Sequence, residues 1–218
     1  MDSMDTSEMD DSGLYSASDA YRQHLCRVME IVLSGGDARN AAAELKHDPV
    51  LLYQYMTYLR TMGVGYRHDS GSSSQAVISF TPANLCKWLD NLMDADIDDI
   101  SLPVSWNAIV RGRFVELMGR SLFGEERAEE LFVVGIFSVL DILLARPMRD
   151  LLDQIAVSDD MYQALLYRKG PYAPLLFLAK AIEDAHEQRI DQLQVSLQVP
   201  MEVIYDTYNA ALHWAEQR

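Results

Sequence analysis

Along most of the chain apolar residues recur at steps of three and four, the spacing that gathers them on one face of a helix. Tyr21, Leu25, Val28, Met29 and Val32 form the first such stripe, and Gly35-Gly36 closes it. Asp37 is placed to cap a short alanine-rich helix running to Lys46. Asp48-Pro49 restarts the chain as N-cap and first helical residue, and the helix that follows turns Leu52, Tyr55, Met56 and Leu59 inward before Gly63. Residues 63–74 read as a flexible loop, and 76–80 is the one strand candidate, too short and isolated to build a sheet. Thr81-Pro82 repeats the cap-and-proline signal ahead of Leu85, Trp88, Leu89 and Leu92.

The second half continues in the same way. A helix from about Pro103 to Leu122 carries Ile109, Phe114, Leu117 and Met118. Residues 125–145 read as one long helix, apolar on nearly every side after Leu131 and therefore central, broken by Arg146-Pro147. Ser158 caps residues 159–168, Gly170-Pro171 breaks the chain again, and 175–187 continues as helix. Pro200 opens a last helix with Val203, Ile204, Tyr208, Leu212 and Trp214. The pattern predicts an all-α fold of about ten helices in two lobes, 20–100 and 101–218, after an acidic tail, 1–19, expected to be disordered.

Composition narrows the function. The 218 residues are 49% hydrophobic, enough for a sizeable core, and 33 acids against 18 bases leave a net charge of −15. That charge disfavours nucleic acid as a partner, since such binding rests on neutralising phosphates. Cys26 and Cys86, 60 positions apart, offer neither a disulfide framework nor a zinc knuckle. No stretch is long and apolar enough to span a bilayer, and the N-terminus lacks the basic-then-apolar order of a signal peptide. The expectation is a cytoplasmic protein with no membrane contact.

Most catalytic signatures are absent. No two of His24, His47, His68, His186 and His213 lie at i, i+4, and there is no HExxH, phosphate loop, GxGxxG or GxSxG. The acidic run Asp90, Asp94, Asp96, Asp98 and Asp99 reads as a solvated hinge. Counted from Asp94 as an EF-hand, it has Asp99 where glycine is required and Ser105 where glutamate is required. His47-Asp48 spells the doublet of HD metal phosphohydrolases, but Asp48 is the natural cap of the next helix. Asp141, inside LFVVGIFSVLDILL, is a carboxylate in an apolar run and needs a partner. The neighbouring helix offers Arg111, Arg113 and Glu116, and Arg113, Glu116 and Asp141 form the candidate buried polar network.

The segments KHDPVLLYQYMTYLR, RGRFVELMG, ELFVVGIFSVLDILLARPM, ALLYRKGPYAPLL and ALHWAEQR, in that order and spacing, resemble the HDOD domain. They are most similar to the HDOD region of bacterial proteins that join it to an EAL domain, over roughly residues 20–218. No EAL-like stretch is present in this sequence. In HD enzymes the helix matching 132–142 carries the histidine–aspartate doublet; here Ser138 and Val139 stand there, and Asp141 falls where glycine is usual. The upstream metal histidine would fall within 106–111, where none occurs. YLRT at 58–61 also replaces the family's asparagine-serine pair. The resemblance implies an HD-like helical scaffold without metal chemistry or cofactor, working in bacterial signalling by binding another signalling protein, with cyclic di-GMP circuits as a setting and self-association left open. Tyr162, Tyr167 and Tyr172, in an aromatic stretch with Met161 and Phe177, are the candidate partner surface. The alternative is a degenerate hydrolase or nucleotide sensor holding a phosphorylated ligand between the lobes, using cations from Arg111, Arg113, Arg146, Arg149, Arg168 and Lys169.

Overall fold

The computed structural model describes residues 17–63, 81–93 and 106–217, and every element within them is helical. The protein is all-α. The expected tail up to Asp11 and beyond to Ser16, the 63–74 loop after Gly63, the strand candidate and the acidic hinge from Asp94 onward lie outside the described residues. The first helix starts at Ala17, inside the stretch expected to be tail.

Helix α1 (Ala17–Leu33) packs on α2 (Ala38–Leu45), α3 (Pro49–Thr61) and α4 (Pro82–Met93). Local chemistry sets their starts. Asp37 accepts from the Arg39 amide at 2.9 Å, and Thr81 Oγ1 accepts from the Asn84 amide at 3.2 Å. Asp48, fully buried, accepts from the Val50 and Leu51 amides at 2.9 and 3.0 Å, with Pro49 at the first helical position. Asp48 thus spends Oδ1 on the helix start. Tyr55 and Trp88 meet edge to face in the core of this half, ring centroids 5.2 Å apart.

The remaining helices are α5 (Trp106–Phe123), α6 (Ala128–Phe137) after a 3-10 turn at Glu125–Arg127, α7 (Leu140–Leu143), α8 (Met148–Leu152), α9 (Asp159–Tyr167), α10 (Ala173–Glu183), α11 (Glu187–Leu197) and α12 (Met201–Glu216). The single long helix expected over 125–145 is three pieces. Its apolar middle is central as expected: α6 is buried from Glu130 through Phe137. The chain turns out of helical geometry at Val139 (φ −125, ψ 16), and this break sets where the next residues point. Helices α8 and α11 carried no clear sequence signal. Val203, expected in the apolar stripe of the last helix, is 42% exposed.

Helices α5 and α6 lie unusually close because glycine faces glycine. A Cβ on Gly135 would sit 2.6 Å from the Arg111 carbonyl oxygen and 2.7 Å from Gly112 Cα. One turn beyond Gly135 is Ser138, so this approach brings α5's Arg111 alongside it. The two halves of the chain share one continuous core. Their seam is stitched by polar contacts: the Tyr53 hydroxyl lies 3.2 Å from both the Leu151 carbonyl and Gln154 Oε1, and Arg60 donates to the Ile155 carbonyl at 2.8 Å. The His47 ring stacks on Trp214 at 4.3 Å.

Candidate functional site

A cleft of about 500 Å³ opens between α5, the 138–143 segment, the end of α9 and α10. Its polar wall is Asn107, Arg111, Ser138, Asp141, Arg168, Lys180 and Glu183; Val139, Ile142, Leu143, Leu176 and Phe177 supply the apolar side. The α5–α6 glycine contact fixes one edge. Glu183, in the last turn of α10, faces it from the other.

Arg111 organises the floor. Its guanidinium grips Glu183 in a bidentate pair, Nε to Oε1 at 2.8 Å and Nη2 to Oε2 at 2.5 Å. Its Nη1 donates to Ser138 Oγ at 2.7 Å, and that hydroxyl donates in turn to the Gly135 carbonyl at 2.7 Å. Arg111 and Ser138 are both buried. A second guanidinium arrives from Arg168, whose Nη2 donates to the Ser138 carbonyl at 2.8 Å. Two cations therefore converge on one serine. Burial, and then the Arg111 charge, push Arg168 below the usual guanidinium value, while Asp141 pulls the other way. The phenol of Tyr208 is pushed up by burial and next by Glu183, with Arg111 opposing.

This chemistry does not make a nucleophile. The Ser138 proton is spent on a backbone carbonyl, a cation occupies a lone pair, and no base is hydrogen-bonded to the oxygen. Nor does it suit a metal. The fixed positive charges of Arg111 and Arg168 repel a cation from the Ser138 wall. Among the described residues no group of three or more His, Cys, Asp or Glu could hold a metal ion.

The sequence-predicted network is only partly assembled. Arg113 and Glu116 pair at 2.8 Å, and buried Glu116 also takes Arg120 at 3.1 Å, with Lys46 3.9 Å away. Asp141 is not with them. The break at Val139 carries it onto the cleft wall, half-buried and facing Arg168 rather than Glu116. The aromatic surface also splits. Tyr167 is 45% exposed, touches the half-buried Tyr162 edge to face, and Arg149 reaches both hydroxyls, at 3.1 Å for Tyr167 and 3.4 Å for Tyr162. Tyr172 is core: 1% exposed, it accepts from Arg127 at 2.8 Å and donates to Glu130 at 3.2 Å. Its helix start sits against Phe123, ring centroids 5.3 Å apart, which is why the break before it does not expose the ring. Met161 is buried, and Phe177 lines the cleft.

Two carboxylates escaped the sequence reading. Glu130, 2% exposed, accepts from Arg127, Tyr172 and Ser158, which also caps α9. It lies at the start of an apolar run, in a first helical turn where a solvated acid is the usual expectation. Glu183 had a faint signal: Leu176, Lys180 and Glu183 recur at helical steps and share the cleft face.

The chain is 26% identical over 170 residues to the cyclic di-GMP phosphodiesterase CdgJ of Vibrio cholerae, a match covering 78% of this chain and 39% of that protein. It is 24% identical over 174 residues to YuxH of Bacillus subtilis, an uncharacterized protein, covering 78% of this chain and 42% of YuxH. The matched length is thus about two fifths of each relative. No protein-family model and no solved structure matches. Among the described residues no helix is long and apolar enough to cross a membrane.

Proposed function

We propose that this chain is an HDOD-type regulatory module of bacterial signalling that performs no hydrolysis and acts by docking another signalling protein, within a cyclic di-GMP-linked circuit. The Arg111 guanidinium, clamped by Glu183 and bonded to Ser138, carries the reading. By the resemblance Ser138 stands where a hydrolase of this scaffold carries its doublet; Arg111 lays positive charge against it, and the serine oxygen has no base to activate it. The similarity to CdgJ supports a setting in cyclic di-GMP signalling. Tyr167 and Arg149, exposed and hydrogen-bonded together, offer an aromatic and cationic docking point of the kind enriched at interface hot spots.

The purified chain should contain substoichiometric iron, manganese and zinc by elemental analysis and leave cyclic di-GMP uncleaved with any of these added. One bound metal per chain with chelator-sensitive hydrolysis would overturn the non-enzymatic part. For docking, crosslinked pull-downs from the native cell with the wild type and a Tyr167→Ala/Arg149→Ala variant should differ by a specific lost partner. Identical captures would remove this surface from the proposal.

A further inference from the structure

Arg168 faces Asp141 across the cleft but forms no ion pair with it. Among the described residues no Asp or Glu lies within ion-pairing distance of it, and one acceptor, the Ser138 carbonyl, occupies one of its five N–H groups. It is half-buried beside a second guanidinium already committed to Glu183. Its backbone is left-handed, φ 53 and ψ 42, a region that residues other than Gly, Asn and Asp rarely hold. Glycine stands two residues on, yet an arginine takes this position and sends its side chain into the cleft. Half-burying a second guanidinium beside Arg111 with no carboxylate in direct contact is costly, and leaves most of the Arg168 N–H groups open to an anion that enters the cleft.

We infer that the cleft between α5, α7 and α10 binds a small phosphorylated molecule of about nucleotide size, with the Arg168 guanidinium anchoring its phosphate. A planar guanidinium matches two oxygens of a phosphate in a bidentate grip, and Asn107 and Lys180 add donors on the same wall. The space, about 500 Å³, exceeds what bare phosphate needs and falls in the range of small-molecule sites. Ile142, Leu143, Leu176 and Phe177 give the organic part an apolar seat, with Phe177 36% exposed for a ring to lie against. Asp141, on the same wall, disfavours a second anionic group nearby, so a monophosphate fits better than a polyphosphate. This goes beyond docking: it gives the module a ligand to report.

The probes are AMP, GMP, their nucleosides and inorganic phosphate, followed by calorimetric titration of the full chain. AMP or GMP should bind saturably and at least about tenfold more tightly than its nucleoside, the minimum expected of one charge-assisted phosphate grip. Arg168→Gly should abolish the preference for the monophosphate without lowering the melting temperature, because glycine suits the left-handed position. Ile142→Glu places a carboxylate at the cleft mouth on a side chain that is 76% exposed, so folding is spared. It should weaken the monophosphate at least about tenfold more than it weakens the nucleoside, which loses only part of its apolar seat. No saturable binding of AMP or GMP to the wild type overturns the proposal. So does equal affinity for monophosphate and nucleoside, or an Ile142→Glu variant that binds as the wild type does.

Discussion

Replacing Gly135 by alanine tests the contact on which the cleft is built. The new methyl would meet backbone on the facing helix: 2.6 Å to the Arg111 carbonyl oxygen, 2.7 Å to Gly112 Cα and 3.0 Å to the Arg111 carbonyl carbon. Carbon atoms settle at about 3.5–4.0 Å, so α5 and α6 would have to part by roughly 1 Å. Overpacking of a tight core costs about 1–3 kcal/mol, and backbone against backbone belongs at the upper end. Alanine returns about 1 kcal/mol of helix propensity. The net loss should be about 2 kcal/mol, read in urea as a lower midpoint at unchanged slope and on heating as about 4–8 °C. Gly112→Ala is the comparator, because its methyl's nearest neighbours, Ile136 Cβ at 3.0 Å, Phe132 Cε2 at 3.2 Å and the Ile136 amide nitrogen at 3.3 Å, all lie farther off than the 2.6 Å carbonyl contact at Gly135. It should cost less. If Gly135→Ala is as stable as the wild type, the helices are not held in glycine contact and the placement of Arg111 beside Ser138 needs another cause.

Two further predictions concern paired acids outside the cleft. Glu130→Gln should cost about 2–4 kcal/mol, since it leaves Arg127 with a neutral partner and disturbs the Ser158 and Tyr172 bonds, whereas Tyr172→Phe should cost about 1 kcal/mol; equal midpoints in urea for Glu130→Gln and the wild type would show the carboxylate idle. Glu44 is raised by its burial but pulled lower overall by His24, 2.5 Å away, and by Arg27, leaving it below its ordinary 4.5. A carboxyl depressed in the folded state lends stability that is present above its unfolded value and fades as pH falls through the folded one. The wild type's advantage over Glu44→Gln should accordingly hold at about pH 6 and shrink below about pH 4, and a difference constant across that range would refute the pairing.

What was legible in the sequence is the chemistry that acts within a few residues. Asp48-Pro49, Thr81-Pro82 and Ser158 announce helix starts because a cap's oxygen finds its amide two or three positions on, and no distant part of the fold can alter that. The missed features all depend on partners far along the chain. Nothing near Val139 marks a break, because the apolar run continues through it. Tyr172 follows Gly170-Pro171 and reads as exposed, yet Phe123 and Glu130, more than 40 positions away, draw it inside. Arg111 stood out as a cation of the central helices, but its carboxylate is Glu183 on α10, 72 positions later, and not the Asp141 that the apolar run made conspicuous.

The Arg111–Glu183 clamp also constrains how this sequence can drift. Either residue lost alone strands the other's charge in a buried setting, a change that typically costs about 3–5 kcal/mol, a large part of a domain's whole stability. Both can leave together, replaced by an apolar pair of similar volume, at little cost. Positions 111 and 183 should then behave as a single inherited unit: lineages descended from this chain keep both residues or neither, and the single-change intermediates are too short-lived to be sampled often.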